Sequence, residues 1–394
     1  VNWVDVLVVG LAVLAAISGA RQGVITALPA FAGVLLGAIA GILLAPVIVG
    51  AIDNPATKAA FAFAVFVLLV ALGETFGVWI GRSLREKITS PKLAPVDNAL
   101  GAIVQGAVVF VVCWLIGAAL TTVSGLPKLT AAINQSVVLG GVNDIMPSAA
   151  QQLPEGLRKV LDVSGFPAAV DPFSHTQISE VAPPNPKLQR SSVVQRVHGS
   201  VLKIHAKAPS CERALEGSGF VVAPRRVMTN AHVVAGTDEV QVETEDGRLP
   251  ATVVFYDPET DIAILAVPDL TASPLSFADE DGKTGQDGIV LGYPLDGPYT
   301  AAPARVRDRI ELKGPDIYDS RQVTRDVFTV RARVLSGNSG GPLVDTSGDV
   351  LGVVFGAAVD NSETGFVLTA DQVHDDAERA SGLNNAVDTG RCVP

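Results

Sequence analysis

The chain has 394 residues and a formal net charge of −11, enough length for two or three domains. Residues 1–125 hold only six Lys/Arg and five Asp/Glu, so the acidic excess lies in the rest of the chain. That balance excludes nucleic acid as a partner, because phosphate binding needs clustered Lys and Arg.

Four apolar stretches fill the first third, at about 3–20, 24–49, 58–81 and 97–124. A helix of about 20 apolar residues crosses a hydrocarbon core. Four transmembrane helices in a lipid bilayer are therefore predicted over residues 1–125. The first stretch does not read as a signal peptide. It carries Asp5 where a basic segment would stand, and three more spans follow. Gly33, Gly37 and Gly41 in the second span, and Gly101 and Gly106 in the fourth, predict close helix packing. Glu74 lies inside the third span. An intramembrane carboxylate is costly, and pairing within the bundle is favoured over an ion pathway. The loop after the third span holds Arg82, Arg85, Lys87 and Lys92, which assigns it to the cytoplasmic side. An even number of spans then puts residues 125–394 outside the cytoplasm.

Residues 126–190 read as a Pro-rich linker, punctuated by Pro127, Pro147, Pro154, Pro167, Pro172, Pro183, Pro184 and Pro186. A short amphipathic helix is expected at 147–162 and an extended arm at 167–190. From 191 to 394 the pattern changes to short strands. VVQRVHGSVLKIHA, EGSGFVVAP, RVMTNAHVV, EVQVET, ATVVFYD, DIAILAV, DGIVLGYP, DVFTVRARV, GPLVD, DVLGVVFGAA and TGFVLTA are bounded by turn residues. About 200 residues of this kind suit two small barrels, with a terminal helix from Ala370 to Ala380.

Three segments carry candidate chemistry. MTNAHVV sets His232 just after a strand, DPETDIAIL sets Asp261 at the start of one, and SGNSGGPLVD sets Ser339 between glycines. A serine hydroxyl needs a base to act as a nucleophile near neutral pH. His232 is fitted to take and return the proton, with Asp261 orienting the ring. Asp257 is a rival for that third role; Asp261 is preferred because the apolar strand after it would bury it. Glycines 337, 340 and 341 allow a tight turn, so that the Gly337 and Ser339 amides converge on a developing oxyanion. Cys113 lies mid-span as an apolar filler. Cys211 and Cys392 are the two cysteines of the exported part and are expected to form a disulfide. Five scattered histidines supply too few ligands for a metal, and no cofactor is implied.

TNAHVV, DIAIL, GNSGGPL and TGFVLTA resemble motifs of the trypsin-like family, nearest its bacterial envelope branch. Residues 1–125 resemble the four-span colicin V production family. The combination resembles mycobacterial membrane-anchored periplasmic serine proteases linked to acid resistance. The resemblance implies an all-α membrane domain followed by an all-β chymotrypsin-like double β-barrel, with the active site between barrels. It also implies hydrolysis of envelope proteins such as cell-wall hydrolases, in acid or oxidative stress. Two departures stand out. Only 55 residues follow Ser339, too few for the PDZ domain common in that branch. Arg331 and Arg333 precede the serine, where the family builds its specificity pocket; a solvated strand face is favoured over a pocket for acidic side chains. The alternatives are a binding module on an inactive protease scaffold and a transport protein with the barrels as regulator.

Overall fold

The structure is a computed structural model that describes residues 2–48, 55–88, 94–120, 127–146, 179–211, 213–358 and 361–393. It divides into an α-helical unit and a β-barrel unit, each with its own core.

The helical unit begins with α1 (Trp3–Gln22), α2 (Val24–Ile48), α3 (Pro55–Ile88) and α4 (Ala94–Leu120). All four are long and apolar enough to cross a membrane. Leu7, Leu14, Leu36, Leu43, Phe76, Trp79 and Ile103 are each more than half exposed on them. Such a surface suits lipid rather than water. Helix α2 packs on α3 at backbone distance, because a Cβ on Gly33 would strike the Gly73 carbonyl, and one on Gly73 the Gly33 carbonyl. Glu74 of α3 accepts from Gln105 Nε2 of α4 at 3.4 Å.

Asp5 has two tasks. Its Oδ2 accepts from Asn2 N at 2.8 Å in a capping box that starts α1. Its Oδ1 accepts from Ser136 Oγ at 2.6 Å and from Val138 N at 3.0 Å. These bonds tie α1 to α6 (Val137–Ile145), which follows α5 (Pro127–Asn134). Trp114 Nε1 of α4 donates to Asn143 Oδ1 of α6 at 3.1 Å. The stretch expected to be linker from residue 126 therefore opens with two helices packed on the bundle. The helix expected at 147–162, and most of the arm, lie outside the described residues.

The second unit holds two closed antiparallel barrels of six strands each. The first comprises β1 (Val201–Ala208), β2 (Arg213–Ala223), β3 (Arg226–Thr229), β4 (Glu239–Thr244), β5 (Gly247–Asp257) and β6 (Ile262–Ala266). Its order around the barrel is β1-β2-β3-β6-β5-β4. The second comprises β7 (Asp287–Gly292), β8 (Thr300–Pro315), β9 (Gln322–Arg331), β10 (Pro342–Val344), β11 (Val350–Ala357) and β12 (Thr364–Thr369), in the order β10-β11-β12-β9-β8-β7. Closure removes free strand edges. Val, Ile, Leu and Phe side chains from both barrels fill the cores, with Phe220, Ile264, Phe328 and Phe366 fully buried.

One expectation about elements needs correction, and one strand falls outside the runs named above. The run VVQRV is not strand: Ser192–Arg196 forms a short helix, α7, and β1 starts only at Val201. Helix suits it because Val193 and Val197, four residues apart, fall on one face and bury in the same core. The longest strand, β8, covers a stretch that does not alternate like the other strands. Two of its charges are neutralised across the sheet, Arg305 on Asp287 at 2.6 Å directly opposite, and Arg309 on Asp326. Such charges hide the apolar alternation in the sequence. The terminal helix is present as α8 (Ala370–Arg379), with Thr369 Oγ1 accepting from Gln372 N at its start.

Candidate active site

His232 sits on a 3₁₀ turn, Ala231–Val233, that follows the fully buried strand β3. Asp261 lies between a turn and β6. Asp257 makes that turn: its Oδ1 accepts from Glu259 N at 2.9 Å and Thr260 N at 3.3 Å, and its carbonyl accepts from Asp261 N at 3.0 Å. Asp261 itself adopts φ 70°, a left-handed conformation that Asp tolerates better than most residues. Asn230 Nδ2 holds it there by donating to the Asp261 carbonyl at 2.7 Å. The Asp261 side chain, 1% exposed, then takes both groups of His232: Oδ2 lies 2.7 Å from ring Nδ1, and Oδ1 accepts from the backbone amide at 2.9 Å. With Nδ1 as the donor, Nε2 is left as the acceptor face of the ring.

Arg325 of β9 reaches the same turn. Its Nε donates to the Glu259 carbonyl at 2.8 Å and its Nη1 to the Pro315 carbonyl at 3.0 Å. Burial pushes its pKa down, and the Asp261, Asp316 and Asp257 carboxylates oppose that shift.

Ser339 stands in the Gly337–Gly341 turn that leads into β10. Gly337 has φ 92° and Gly340 φ 80°, and a Cβ on Gly340 would collide with the Ser218 carbonyl. The turn belongs to the second barrel but seats on the first. Ser218 N of β2 donates to the Ser339 carbonyl at 2.8 Å, and Ser218 Oγ donates to the Gly337 carbonyl at 2.6 Å. Ser218 Oγ also accepts from Tyr293 N at 2.9 Å, and Thr229 Oγ1 donates to the Ser218 carbonyl at 2.7 Å. Gly217 shows how near the two candidate residues come. A Cβ there would lie 2.7 Å from the Val233 side chain, next in the chain after His232, and 3.2 Å from the Ser339 carbonyl.

Ser339 Oγ and His232 Nε2 are both buried, and among the described residues neither has a hydrogen-bond partner. They are the two atoms that a Ser–His proton transfer would connect. A buried polar atom without a partner calls for an explanation, and a catalytic role is one that fits this pair. The Gly337 and Ser339 amides likewise have no acceptor among the described residues. Their orientation is set through their own peptide groups. The Ser336 carbonyl accepts from Leu295 N at 2.8 Å and the Asn338 carbonyl from Gly341 N at 2.9 Å. In a trans peptide the N–H points opposite to the C=O, so each amide faces away from those anchors.

Arg331 is engaged elsewhere: Nη2 binds Glu363 Oε2 at 2.9 Å and Nη1 donates to the Val181 carbonyl at 2.9 Å. Arg333 is exposed. His205, Glu216 and Asp296 bring ligand-type atoms together, but the Lys203 ammonium sits on Asp296, so the group is an ion-pair network. Cys211 and Cys392 are joined by a disulfide with Cα atoms 6.6 Å apart. The residues that sequence reading left without a role are Asn230, Ser218 and Arg325. Asn230 and Ser218 stand inside the TNAHVV and EGSGF runs, but nothing in a linear sequence says that their side chains hold backbone carbonyls.

Residues 217–353 match the trypsin-like peptidase domain family, and residues 4–147 match the colicin V production protein family. The serine protease Rv3671c of Mycobacterium tuberculosis is 49% identical over 393 residues, covering 100% of this chain and 99% of that protein. The chain belongs to the trypsin-like serine proteases. The crystal structure of the Rv3671c protease in its active form is 55% identical with a TM-score of 0.55, covering 58% of this chain and 100% of that one. A probable DegP-like periplasmic serine endoprotease of Chlamydia pneumoniae is 35% identical over 150 residues, 37% of this chain and 29% of that protein. This trypsin-like protease is therefore a hydrolase that cleaves peptide bonds, and its four apolar helices and colicin V-type region make it a multi-pass membrane protein.

Proposed function

We propose that this protease acts through Ser339 as nucleophile, His232 as general base and acid, and Asp261 as the group that orients His232. His232 Nε2 takes the Ser339 proton as Oγ bonds to the scissile carbonyl carbon. The Gly337 and Ser339 amides receive the oxyanion. His232 then returns the proton to the leaving amine as the C–N bond breaks, and water repeats the cycle on the acyl-enzyme. The observation that carries this reading is the Asp261–His232 pair at 2.7 Å, with Nε2 and Ser339 Oγ both left without partners.

The barrels act outside the cytoplasm, held by the helical unit, on proteins of the envelope, with cell-wall hydrolases as substrates and acid or oxidative stress as the setting. Support comes from the basic residues Arg82, Arg85 and Lys87 at the C-terminal end of α3, with Lys92 beyond it, and from the periplasmic name of the DegP-like relative.

A serine-reactive phosphonate should label the full-length protein and fail to label Ser339→Ala. Labelling at another serine would overturn the assignment. New envelope-protein termini that vanish with Ser339→Ala would identify substrates. A phosphatase reporter fused after Gly125 should be active; activity of a cytoplasm-only reporter there would reverse the topology.

A further inference from the structure

Leu295 and Asp296 are consecutive non-glycine residues in the left-handed region, with φ 56° and 55°. L-residues rarely adopt that conformation, and two in succession persist only where the surroundings impose it. Leu295 is 69% exposed, so its side chain supplies no packing that would do so. Two contacts hold the pair from either side. On one side, Leu295 N donates to the Ser336 carbonyl at 2.8 Å. On the other, Lys203 of β1 forms an ion pair with the Asp296 carboxylate and donates from Nζ to the Asp296 carbonyl at 2.9 Å. Lys203 is only 7% exposed, unusual for a lysine, so its ammonium is committed to this one residue.

The Ser336 carbonyl belongs to the peptide whose N–H is that of Gly337. We infer that Lys203 is a positioning residue for catalysis: from the first barrel it fastens the strained Leu295–Asp296 turn, which turns the Ser336–Gly337 peptide so that the Gly337 amide faces the oxyanion. The inference rests on the reading that Gly337 N is an oxyanion donor. Without the fastening, Leu295 relaxes to negative φ, its amide leaves the Ser336 carbonyl, and the Gly337 peptide is free to rotate. The close fit supports this coupling. A Cβ on Gly337 would lie 3.0 Å from Leu295 N and 3.2 Å from Pro294 Cα, so the turn and the glycine cannot move independently.

The test uses the full-length chain in detergent micelles, with initial rates on autoquenched casein. Loss of one oxyanion donor lowers kcat about 100-fold or more, so Lys203→Met, which keeps the length but loses the charge, should lower kcat by about 10- to 100-fold. KM should stay within about twofold, since the donor acts on the transition state and not on ground-state binding. Glycine adopts positive φ without penalty, so adding Leu295→Gly to Lys203→Met should recover much of the lost kcat. Asp296→Asn, on an exposed side chain, should lower kcat in the same sense and guards against Lys203→Met failing to fold. A parental kcat in both Lys203→Met and Asp296→Asn would overturn the inference. So would a loss of kcat that tracks a lower melting temperature and is not relieved by Leu295→Gly. Full activity of Ser339→Ala would instead sink the underlying catalytic reading.

Discussion

The backbone amide of Ser218 donates to the carbonyl of Ser339 at 2.8 Å, so a strand of one barrel holds the turn of the other that carries the candidate nucleophile. The Ser218 hydroxyl adds a bond to the Gly337 carbonyl and receives one from Tyr293 N. Ser218→Ala strands both partners in a buried site. A buried group left unpaired costs about 1–3 kcal/mol. The expected outcome is a lower melting temperature, and a fall in kcat larger than the unfolded fraction explains. Calorimetry beside active-site-normalised rates would measure both; a parental kcat would leave Ser218 a purely structural residue.

Asp261 and Asp257 can be told apart by substitution. Asp261→Asn places an amide against His232 Nδ1 and favours the wrong ring tautomer, so activity should fall by about 10⁴-fold, as in the template mechanism. Asp257→Asn keeps an oxygen for the Glu259 and Thr260 amides and should cost less than tenfold, by order-of-magnitude reasoning on a retained turn. Peptidase assays showing the reverse ranking would move the third role to Asp257. His232→Ala combined with Ser339→Ala should be no worse than either alone, since the two act as a unit.

The Lys203–Asp296 pair predicts a pH profile. The hydrogen bond from Lys203 holds the Asp296 carboxyl below its ordinary value of 3.8, with the Lys203 and His205 charges acting the same way; Glu216 is the other acid facing it. A carboxylate with a depressed pKa contributes above its unfolded value and loses that contribution as pH falls through its folded value. The kcat ratio of parent to Asp296→Asn should therefore stay constant from about pH 7 to about pH 4.5, and approach one only below the ordinary carboxylate range. A ratio that collapsed near neutral pH would show that another group controls the turn.

Cys211→Ser opens a bridge across a sequence separation of 181 residues. In the chain-entropy model so long a loop is worth roughly 5 kcal/mol, and measured effects are often smaller. A drop in melting temperature of several degrees is expected by scanning calorimetry. Besides the bridge to Cys211, the tail lies against the segment behind His232: Gly236 N donates to the Thr389 carbonyl at 3.0 Å and Gly236 packs on Cys392. An unchanged melting temperature under non-reducing conditions would mean that this tail is held by other contacts, such as Val387 N on the Val253 carbonyl at 3.0 Å.

Local residue patterns carry the architecture and the chemistry on offer. Long apolar runs can satisfy their backbone in lipid only as helices, and short alternating runs between turn residues form strands, so the helices and barrels were legible from local pattern. The ordered His, Asp and Ser segments were legible because each stands in a short run with its own turn residues. Folding in three dimensions set what is held by contacts far apart in sequence. It put α5 and α6 on the bundle through Asp5, 131 residues from Ser136. It made a strand of β8 by neutralising Arg305 and Arg309 with cross-strand carboxylates. It also brought Leu295 N onto the Ser336 carbonyl and Lys203 onto Asp296. A hydrogen bond to a backbone carbonyl depends on where the chain returns in space and not on which residue supplies the carbonyl, so such anchors leave no mark in the order of residues.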